Sequence, residues 1–326
     1  MGAAPPLTVV TSTYNWARAL AQAIPTALAQ TYGDFEYLII GDCCTDETED
    51  LVRSFKDPRI VWRNLGENTG NQSGVNKIAL EMARGDSIAY LNHDDLWFPD
   101  HLDTVLTPLR ERELDVVSAV CLEIGAAGHH YRGLLGLPIP SAPGAVDISP
   151  MTTSVVHTAR AARQAGGWID WRDTHEIPTQ DFFRRLRYLR RRFAIVSAVT
   201  SLKFHSGDRK NSYRLKDAGE QEAWAARMRT DPELRCRETM TALACRAMSE
   251  RPPRLAQPAK PADAPAGWQI EQWRRMRGLP PMLDLGNSEP GEIAEAAPRP
   301  SAVQVDGTGW ALISPVPANP VCGGSG

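Results

Sequence analysis

Residues 7–15 read LTVVTSTYN, a short apolar run followed by three hydroxyl side chains, a tyrosine and an asparagine. A continuous apolar run of this length is typical of a strand that is buried in a parallel sheet. Similar runs alternate with apolar residues at helical spacing, which predicts an α/β domain with a parallel-rich sheet between helices. The predicted strands are residues 7–12, 35–40, 59–62, 87–91 and 116–122, and the predicted helices lie near 20–28, 46–55, 73–84 and 102–109.

Local signals mark the ends of two of these helices. Asp46 followed by Glu49 is a capping-box pattern, which predicts that a helix begins there. Gly85 follows the third predicted helix, where a glycine commonly ends a helix. Pro25 lies inside the first predicted helix and should kink or restart it.

Composition and charge restrict the class of protein. The 326 residues are enough for two domains, or for one large domain with a tail. A charged fraction of 23% and a hydrophobic fraction of 42% exclude a mainly disordered or fibrous protein. The net charge of −3 argues against a nucleic-acid partner, because binding to a polyanion uses a basic excess.

Targeting signals and cysteines point to the cytoplasm. No apolar stretch reaches the ~18 residues of a membrane span, and residues 1–7 do not resemble a signal peptide. Six cysteines without a CxxC pair favour a reducing compartment. The arginine-rich stretch Arg184–Arg192, predicted to be helical, is either a solvated face or a contact for an anionic acceptor or for the inner face of a membrane.

Proline divides the chain near residue 250. Residues 1–250 contain 12 prolines, and residues 251–326 contain 13. The stretch RPPRLAQPAKPADAPAG, which begins at Arg251, suits neither a helix nor a central strand. We therefore predict a Pro-rich linker and tail over residues 251–326, with a short helix at 268–277 and a loose end.

The predicted strands end in polar residues. Ligands bind just beyond the carboxyl ends of the strands in sheets of this kind. The sequence contains neither GxGxxG nor GxxxxGK[ST], so the usual glycine-rich phosphate cradles are missing. A divalent cation held by carboxylates is the obvious substitute. The polar segments are STYN (12–15), GDCCTD (41–46), ENTGNQSGVNK (67–77) and NHDD (92–95).

The order of these motifs resembles the order found in the glycosyltransferase family 2 enzymes, which have the GT-A fold. The family's P-T-Y-N is STYN here, its D-D-G-S-T-D is GDCCTD, and its D-x-D-D is NHDD. The stretch AIPTALAQTYGDFE, residues 23–36, resembles the family's A-x-x-S-[VI]-L-x-Q-T-Y-x-x-[FW]-E. An N-x-G stretch (68–70 and 74–76) and a later G-G-W (166–168) with a Q-D (180–181) complete a resemblance over about residues 7–215.

The resemblance implies a role for each matching position. Tyr14 would pack on the nucleotide base, Asp42 would hydrogen-bond that base, and Asp94 would ligate the metal on the diphosphate. Asp181 would be the catalytic base. The expected nucleotide-sugar contacts are Ser12, Tyr14, Asp42, Asn76 and Asp94. The expected ligands of Mn²⁺ or Mg²⁺ are Asp94, Asp95 and His205.

Several positions depart from the family's pattern. Gly41 and Asn92 replace the first aspartates of the two acidic motifs, Cys43-Cys44 replaces G-S, and Val75 stands where arginine is common. The carboxylates that remain after Asn92 can still complete an oxygen shell together with diphosphate and water.

Each site residue also has a structural interpretation. Tyr14 could be a core aromatic, and Asp42 could end its strand in a turn. Asp94 or Asp95 could cap the helix that follows, and His205 could be a surface loop residue.

Asp181 has the most specific structural alternative. It opens a predicted helix and could simply complement the helix dipole as an N-terminal carboxylate. Glu176, five residues earlier, is then the alternative base. The apolar side of this predicted helix is formed by Phe182, Leu186, Leu189 and Phe193.

The protein expected from the sequence is an inverting, metal-dependent glycosyltransferase of the hexosyltransferase class. It would move a sugar from a nucleotide diphosphate sugar, with a UDP-sugar favoured, to the hydroxyl of a glycan, a lipid-linked molecule or a small molecule. Residues 1–125 would form the nucleotide-sugar-binding half of a GT-A domain, and residues 126–250 its acceptor-side half. The alternatives are a non-catalytic nucleotide-sugar-binding relative and a nucleotidyltransferase, which the missing basic Gly-rich loop disfavours.

Overall fold

The computed structural model describes residues 5–137, 139–142, 145–147, 150–205, 208–250, 259–285 and 310–313. Strands and helices alternate through the first third of the chain, as predicted. These elements are β1 (Leu7–Thr13), α1 (Ala17–Leu28), β2 (Glu36–Gly41), α2 (Thr48–Ser54), β3 (Ile60–Asn64), α3 (Gln72–Met82), β4 (Ser87–Tyr90), β5 (Leu96–Trp97), α4 (His101–Glu111) and β6 (Val116–Ile124).

The later elements are more varied in length. They are β7 (Arg132–Leu135), β8 (Ile139–Ala142), β9 (Ala145–Asp147), β10 (Val155–Thr158), α5 (Ala159–Gln164), α6 (Pro178–Tyr188), β11 (Phe193–Phe204), α7 (Ser212–Leu215), α8 (Gly219–Thr230), α9 (Leu234–Ala247), α10 (Trp268–Met276) and β12 (Trp310–Ile313). The short helix predicted at 268–277 is confirmed as α10.

Ten of the described strands form one mixed sheet, in the order β12-β11-β6-β10-β4-β1-β2-β3, with β5 and β7 paired to β11 and β6. β1 lies between β4 and β2 and is parallel to both, and β3 continues this parallel half. β10 is antiparallel to β4 and to β6 and joins the halves, while β6 and β11 are parallel. The predicted mostly parallel, mixed sheet flanked by helices is confirmed.

Successive residues of the central strands pack into different cores on the two faces of the sheet. On β1, Val9 packs with buried side chains of α1 and α4, such as Leu20, whereas Val10 packs with those of α3 and α6, such as Phe182. All four side chains are at most 1% exposed. Because both faces are covered, the strands are apolar at most positions, which explains the largely apolar runs in the sequence.

The predicted capping box at the start of α2 is only half correct. The Asp46 carboxylate accepts hydrogen bonds from the backbone N–H and the hydroxyl of Thr48, at 3.2 and 2.5 Å, so Asp46 does hold the start of this helix. Glu49 does not bond back to the cap, because its carboxylate accepts from Arg53 Nε at 2.8 Å. The i,i+4 ion pair takes the place of the reciprocal bond.

The prediction that Gly85 ends the third helix is wrong. α3 ends at Met82, and Gly85 has no left-handed conformation. A side chain at position 85 would lie 2.5 Å from the backbone of Leu7 and Thr8. The Gly85 N–H donates to the Thr8 hydroxyl at 2.9 Å. A glycine is required here because two backbone segments approach closely.

The prediction of a continuous basic helix through Arg184–Arg192 is also wrong. α6 ends at Tyr188, Arg190 has a positive φ of 52°, and Phe193 begins β11 instead of extending the apolar side of the helix. The Arg192 N–H donates to the Asp115 carboxylate at 3.0 Å.

The described helices include none that is long and apolar enough to cross a bilayer.

The part of the C-terminal region that is described, residues 259–285, packs on the sheet domain. Gly267 N–H donates to the Thr174 carbonyl at 2.7 Å, and Asn211 N–H donates to the Met276 carbonyl at 2.9 Å. The rest of the predicted linker and the predicted loose end, at 251–258 and 314–326, lie outside the described residues. The boundaries at 125 and 250 stay predictions.

Two buried histidines should make the fold sensitive to mild acid. Burial lowers the pKa of His101 to about 3 and that of His157 to about 4, so both rings are neutral in the folded protein. In the unfolded chain each ring takes up a proton near pH 6.5. We therefore expect the two histidines to leave the free energy of unfolding unchanged above pH 6.5. Below that, the free energy of unfolding should decrease as the pH falls from 6.5 towards 4.

The measurement is the melting temperature of the wild type and of His101→Gln at half-unit steps from pH 7.5 to 4.5. The variant should show a shallower decrease, because one of the two protonation sites is gone. Identical slopes for both proteins would contradict this assignment.

Candidate functional site

The predicted site residues of the N-terminal half meet at the carboxyl ends of β1, β2 and β4. The Asp42 N–H, just after β2, donates to the Thr13 carbonyl at 2.8 Å. His93, just after β4, donates from Nδ1 to the Ser12 carbonyl at 3.0 Å. These bonds place Ser12, Asp42 and the NHDD segment at one edge of the sheet, as predicted from the parallel topology.

Asp42 is a buried carboxylate that organises the loop after β3. It accepts hydrogen bonds from the N–H groups of Thr69 and Gly70, at 2.6 and 3.3 Å, and its carbonyl accepts from Asn68 Nδ2 at 2.9 Å. Burial raises the pKa of Asp42, while these bonds and the charge of Arg274 act in the opposite direction. Asp42 therefore does more than end its strand in a local turn.

The departures from the family's pattern next to Asp42 have a steric explanation. A side chain at Gly41 would lie 2.6 Å from both Trp62 and Asn64 of β3, so the neighbouring strand fills this place. Asn64 Oδ1 also accepts from the Cys44 N–H at 2.8 Å. Cys43 has a φ of 63°, the left-handed region that a glycine adopts without strain. The turn geometry that a glycine would favour is thus kept with a cysteine.

Asp95 is a structural carboxylate. It is 0% exposed and accepts hydrogen bonds from Lys203 Nζ at 2.9 Å, from the Phe204 N–H at 3.0 Å and from Asn92 Nδ2 at 2.8 Å. Burial disfavours the charge of Lys203, but the carboxylates of Asp95 and Asp94 outweigh this and raise the pKa of Lys203. A neutral amide at position 92 fits this arrangement, because an aspartate there would repel Asp95.

Asp94 has a different environment from its neighbour. It is 6% exposed, and within the described residues its carboxylate makes no hydrogen bond to another side chain. Burial by itself would raise its pKa, but the charges of Lys203, His93 and Arg277 outweigh burial and lower it. Asp94 is thus ionised and available to a ligand.

A metal site with three protein ligands is not preformed. Among the described residues, no group of three or more His, Cys, Asp or Glu side chains is arranged to hold a metal ion. His205 follows β11 two residues after Lys203, and its carbonyl accepts from Arg209 Nη1 at 3.0 Å. The free carboxylate of Asp94 is suited to a hard divalent cation, whose oxygen shell phosphate and water can complete.

Two of the predicted nucleotide contacts differ in how far they are buried. Tyr14 is half-buried and directly follows β1. Asn76 lies on α3 and is 2% exposed. Their contacts with a nucleotide stay predictions.

Asp181 lies in the first turn of α6 and is held by two arginines. Its carboxylate accepts from Arg184 Nη2 at 3.0 Å and from Arg185 Nε at 2.8 Å. Arg184 also donates from Nε to Glu176 at 3.0 Å, so the two candidate bases share one arginine. Within the described residues, no hydrogen bond or ion pair joins Asp181 to the strand-end carboxylates.

Other residues near the site come from far along the chain, and no motif in the sequence indicates them. Lys203 neutralises Asp95, and Arg274 and Arg277 act on the carboxylates of Asp42 and Asp94. Tyr213 packs beside His93, with 5.9 Å between the ring centroids. Two adjacent aspartates that are buried require a nearby cation. The pair Asp94-Asp95 is therefore the one sequence signal that indicates a partner such as Lys203.

The contrast between Asp94 and Asp95 is testable by stability. Asp95→Asn leaves the Lys203 ammonium buried without its closest partner and should lower the free energy of unfolding by about 3–5 kcal/mol. Asp94→Asn is the matched control, one residue away and of the same size, and should cost clearly less. Urea unfolding followed by tryptophan fluorescence measures both, and equal losses would contradict the structural role of Asp95.

Known proteins resemble this chain in sequence over about a third of its length. The putative teichuronic acid biosynthesis glycosyltransferase TuaG of Bacillus subtilis is 36% identical over 110 residues, which are 33% of this chain and 43% of TuaG. WfaP of Escherichia coli, named UDP-Glc:alpha-D-GlcNAc-diphosphoundecaprenol beta-1,3-glucosyltransferase, is 33% identical over 91 residues, which are 28% of this chain and 36% of WfaP. The matched part spans less than half the length of either relative.

Solved structures share the fold over more of the chain. S. aureus TarS 1-349 in complex with UDP-GlcNAc has a TM-score of 0.52 and 15% identity, over 73% of this chain and 78% of that chain. Mannosyltransferase PcManGT from Pyrobaculum calidifontis in complex with GDP-Man and Mn²⁺ has a TM-score of 0.50 and 16% identity, over 76% and 77%. This likeness agrees with the predicted GT-A type of fold.

The family itself is given by the sequence model named Glycosyl transferase family 2, which matches residues 8–165. This range contains β1 to β4 and the strand ends that carry Asp42 and Asp94. Residues 8–165, just under half of the chain, thus resemble a glycosyl transferase family 2 domain.

Proposed function

We propose that the chain is a glycosyltransferase that moves a sugar from a nucleoside diphosphate sugar to an acceptor hydroxyl. The observation that carries the proposal is the pair Asp42 and Asp94, two buried carboxylates at strand ends of a family 2 domain. Asp42 can accept a hydrogen bond from a base N–H, and Asp94 is free to act on the diphosphate.

A UDP-sugar is the donor we favour. The TarS structure contains UDP-GlcNAc, and the name of WfaP specifies UDP-Glc. Tyr14 at the end of β1 would pack on the uracil, with Ser12 and Asn76 as further contacts.

Asp94 is the residue we propose for holding Mn²⁺ or Mg²⁺, with His205 as a second ligand. A divalent cation at this position supplies charge neutralisation to the leaving diphosphate. Asp95 does not serve as a ligand in this proposal, because Lys203 and the Phe204 N–H occupy its carboxylate. The PcManGT complex, which contains Mn²⁺, supports the use of a divalent cation.

The proposed mechanism is inverting, with Asp181 as the base. Its carboxylate accepts the proton of the acceptor hydroxyl while the hydroxyl oxygen attacks the anomeric carbon and the diphosphate leaves. The Arg184 side chain is 45% exposed, so it can move aside for the acceptor. General-base help of this kind is worth about 10²–10⁴ in rate.

The acceptor is a glycan, a lipid-linked molecule or a small molecule with a free hydroxyl. The name of WfaP contains a diphosphoundecaprenol-linked acceptor, which supports the lipid-linked class. A lipid-linked acceptor would bring the protein to the inner face of a membrane from the cytoplasm.

A second candidate function is non-catalytic binding of a nucleotide sugar. Two observations favour it: the neutral Asn92 in the acidic motif and the arginine pairs on Asp181. Transfer of a labelled sugar, or hydrolysis of the donor, in the presence of Mn²⁺ separates an enzyme from a binder.

The donor site should bind UDP in a way that depends on a divalent cation. We expect isothermal titration to show that EDTA or Asp94→Asn weakens UDP binding by at least about tenfold, or 1.4 kcal/mol. Asp57→Asn is the control, because Asp57 precedes β3 and lies at the opposite, amino-terminal edge of the sheet. Equal UDP affinity with and without EDTA would remove the metal from the proposal.

The base should be separable from donor binding. Asp181→Asn cannot accept a proton, so the turnover number should fall by about 10²–10⁴ while the dissociation constant for UDP stays the same. Glu176→Gln loses a bond to the same Arg184 and serves as the matched variant. Near-normal turnover in Asp181→Asn, with loss of turnover in Glu176→Gln, would move the base to Glu176.

A further inference from the structure

The C-terminal segment, residues 259–285, lies outside the family match but contacts the loop that holds Asp42. The link between them is Gly70. Its N–H donates to the Asp42 carboxylate at 3.3 Å, and its carbonyl accepts from Arg274 Nη1 of α10. The two polar groups of one residue thus connect the strand-end carboxylate to the C-terminal helix.

Gly70 is fitted to this role by its conformation and its surroundings. It has a φ of +87°, and a side chain there would lie 2.5 Å from the sulfur of Met282. Next to it, the Thr69 carbonyl accepts from Trp171 Nε1 at 2.9 Å. The loop around Gly70 is therefore fixed by the segment on one side and by Trp171 on the other.

Arg274 is buried to an extent that packing alone does not require. It is 4% exposed, and Nη2 donates to the Pro280 carbonyl at 2.9 Å. Its charge is balanced by Glu271, which is 0% exposed, and by Asp42. A buried charged pair stabilises a fold no better than apolar side chains of the same size. Stability alone therefore does not explain why Arg274 and Glu271 are buried next to the Asp42 loop.

The same segment also reaches the second carboxylate of the site. The Tyr213 N–H donates to the Arg277 carbonyl at 3.1 Å, and the Tyr213 ring lies 5.2 Å from that of Trp16, just after β1. The charge of Arg277 acts on Asp94. Residues 259–285 thus adjoin both Asp42 and Asp94.

We infer that residues 259–285 form a wall of the donor site and that Arg274 is a positioning residue for Asp42. Asp42, held in this position, would recognise the nucleotide base. This inference rests on the proposed function. Arg274 holds the Gly70 carbonyl, Gly70 and Thr69 direct their N–H groups at Asp42, and the free lone pairs of Asp42 are left in place for the base.

The test uses the full chain and separates base recognition from phosphate binding. The ligands are UDP and inorganic pyrophosphate, each with Mn²⁺, measured by isothermal titration with the melting temperature recorded for every variant. Arg274→Gln should weaken UDP binding by about tenfold or more, the loss expected for one hydrogen bond to a charged group. Pyrophosphate affinity should stay the same, because pyrophosphate has no base.

Two further variants keep the test decisive. Arg275→Gln is the matched control, since Arg275 is on the same helix and also pairs with Glu271 but, among the described contacts, does not bond to Gly70. It should bind both ligands as the wild type does. Arg274→Lys keeps the charge and can serve only one of the two carbonyls, so it should fold and show an intermediate loss for UDP.

Each outcome has a defined meaning. A wild type that does not bind UDP overturns the proposed function and this inference with it. A wild type that binds UDP, with unchanged affinity in both Arg274 variants, overturns this inference alone. A parallel loss of UDP and pyrophosphate in the Arg274 variants also overturns it, because Arg274 would then only support the fold.

Discussion

Three carboxylates, those of Asp42, Asp94 and Asp95, are buried at one edge of the sheet, and their charges must be balanced. A buried charge without partners costs several kcal/mol, so each carboxylate determines what is packed around it. Asp95 is balanced by Lys203 from β11, and Asp42 by backbone N–H groups and Arg274. This need for compensation brings the C-terminal elements onto the N-terminal strands.

Strands that are buried along their length could be predicted from the sequence. β1, β2 and β6 are nearly or fully buried along their length, so their apolar runs could be recognised without any other information. β10 was not predicted, because VVHT is only four residues long and its antiparallel pairing with β4 and β6 has no local signal. The helix predicted from the sequence is longer than α6. Its end is not marked by a glycine or a proline, because the left-handed position that follows α6 is occupied by Arg190.

The same distinction holds for the site. Asp42 and Asp94 could be found because they follow recognisable strands, and the topology then placed both at the same edge. The structural role of Asp95 could not be separated from that of Asp94, since the difference is made by Lys203, 108 residues away in sequence. Arg274 lies 204 residues from Gly70, and no local pattern indicates that contact.

The long distance between Gly70 and Arg274 has a consequence for the order of folding. Closing a loop of this length costs conformational entropy, so the contact forms after the local strand and helix pairs. During synthesis the ribosome must release residues up to about 283 before α10 can dock with its Glu271 bonds made. Until then the nascent chain carries Asp42 and its loop uncovered, so this edge of the sheet stays accessible to a chaperone until late in synthesis.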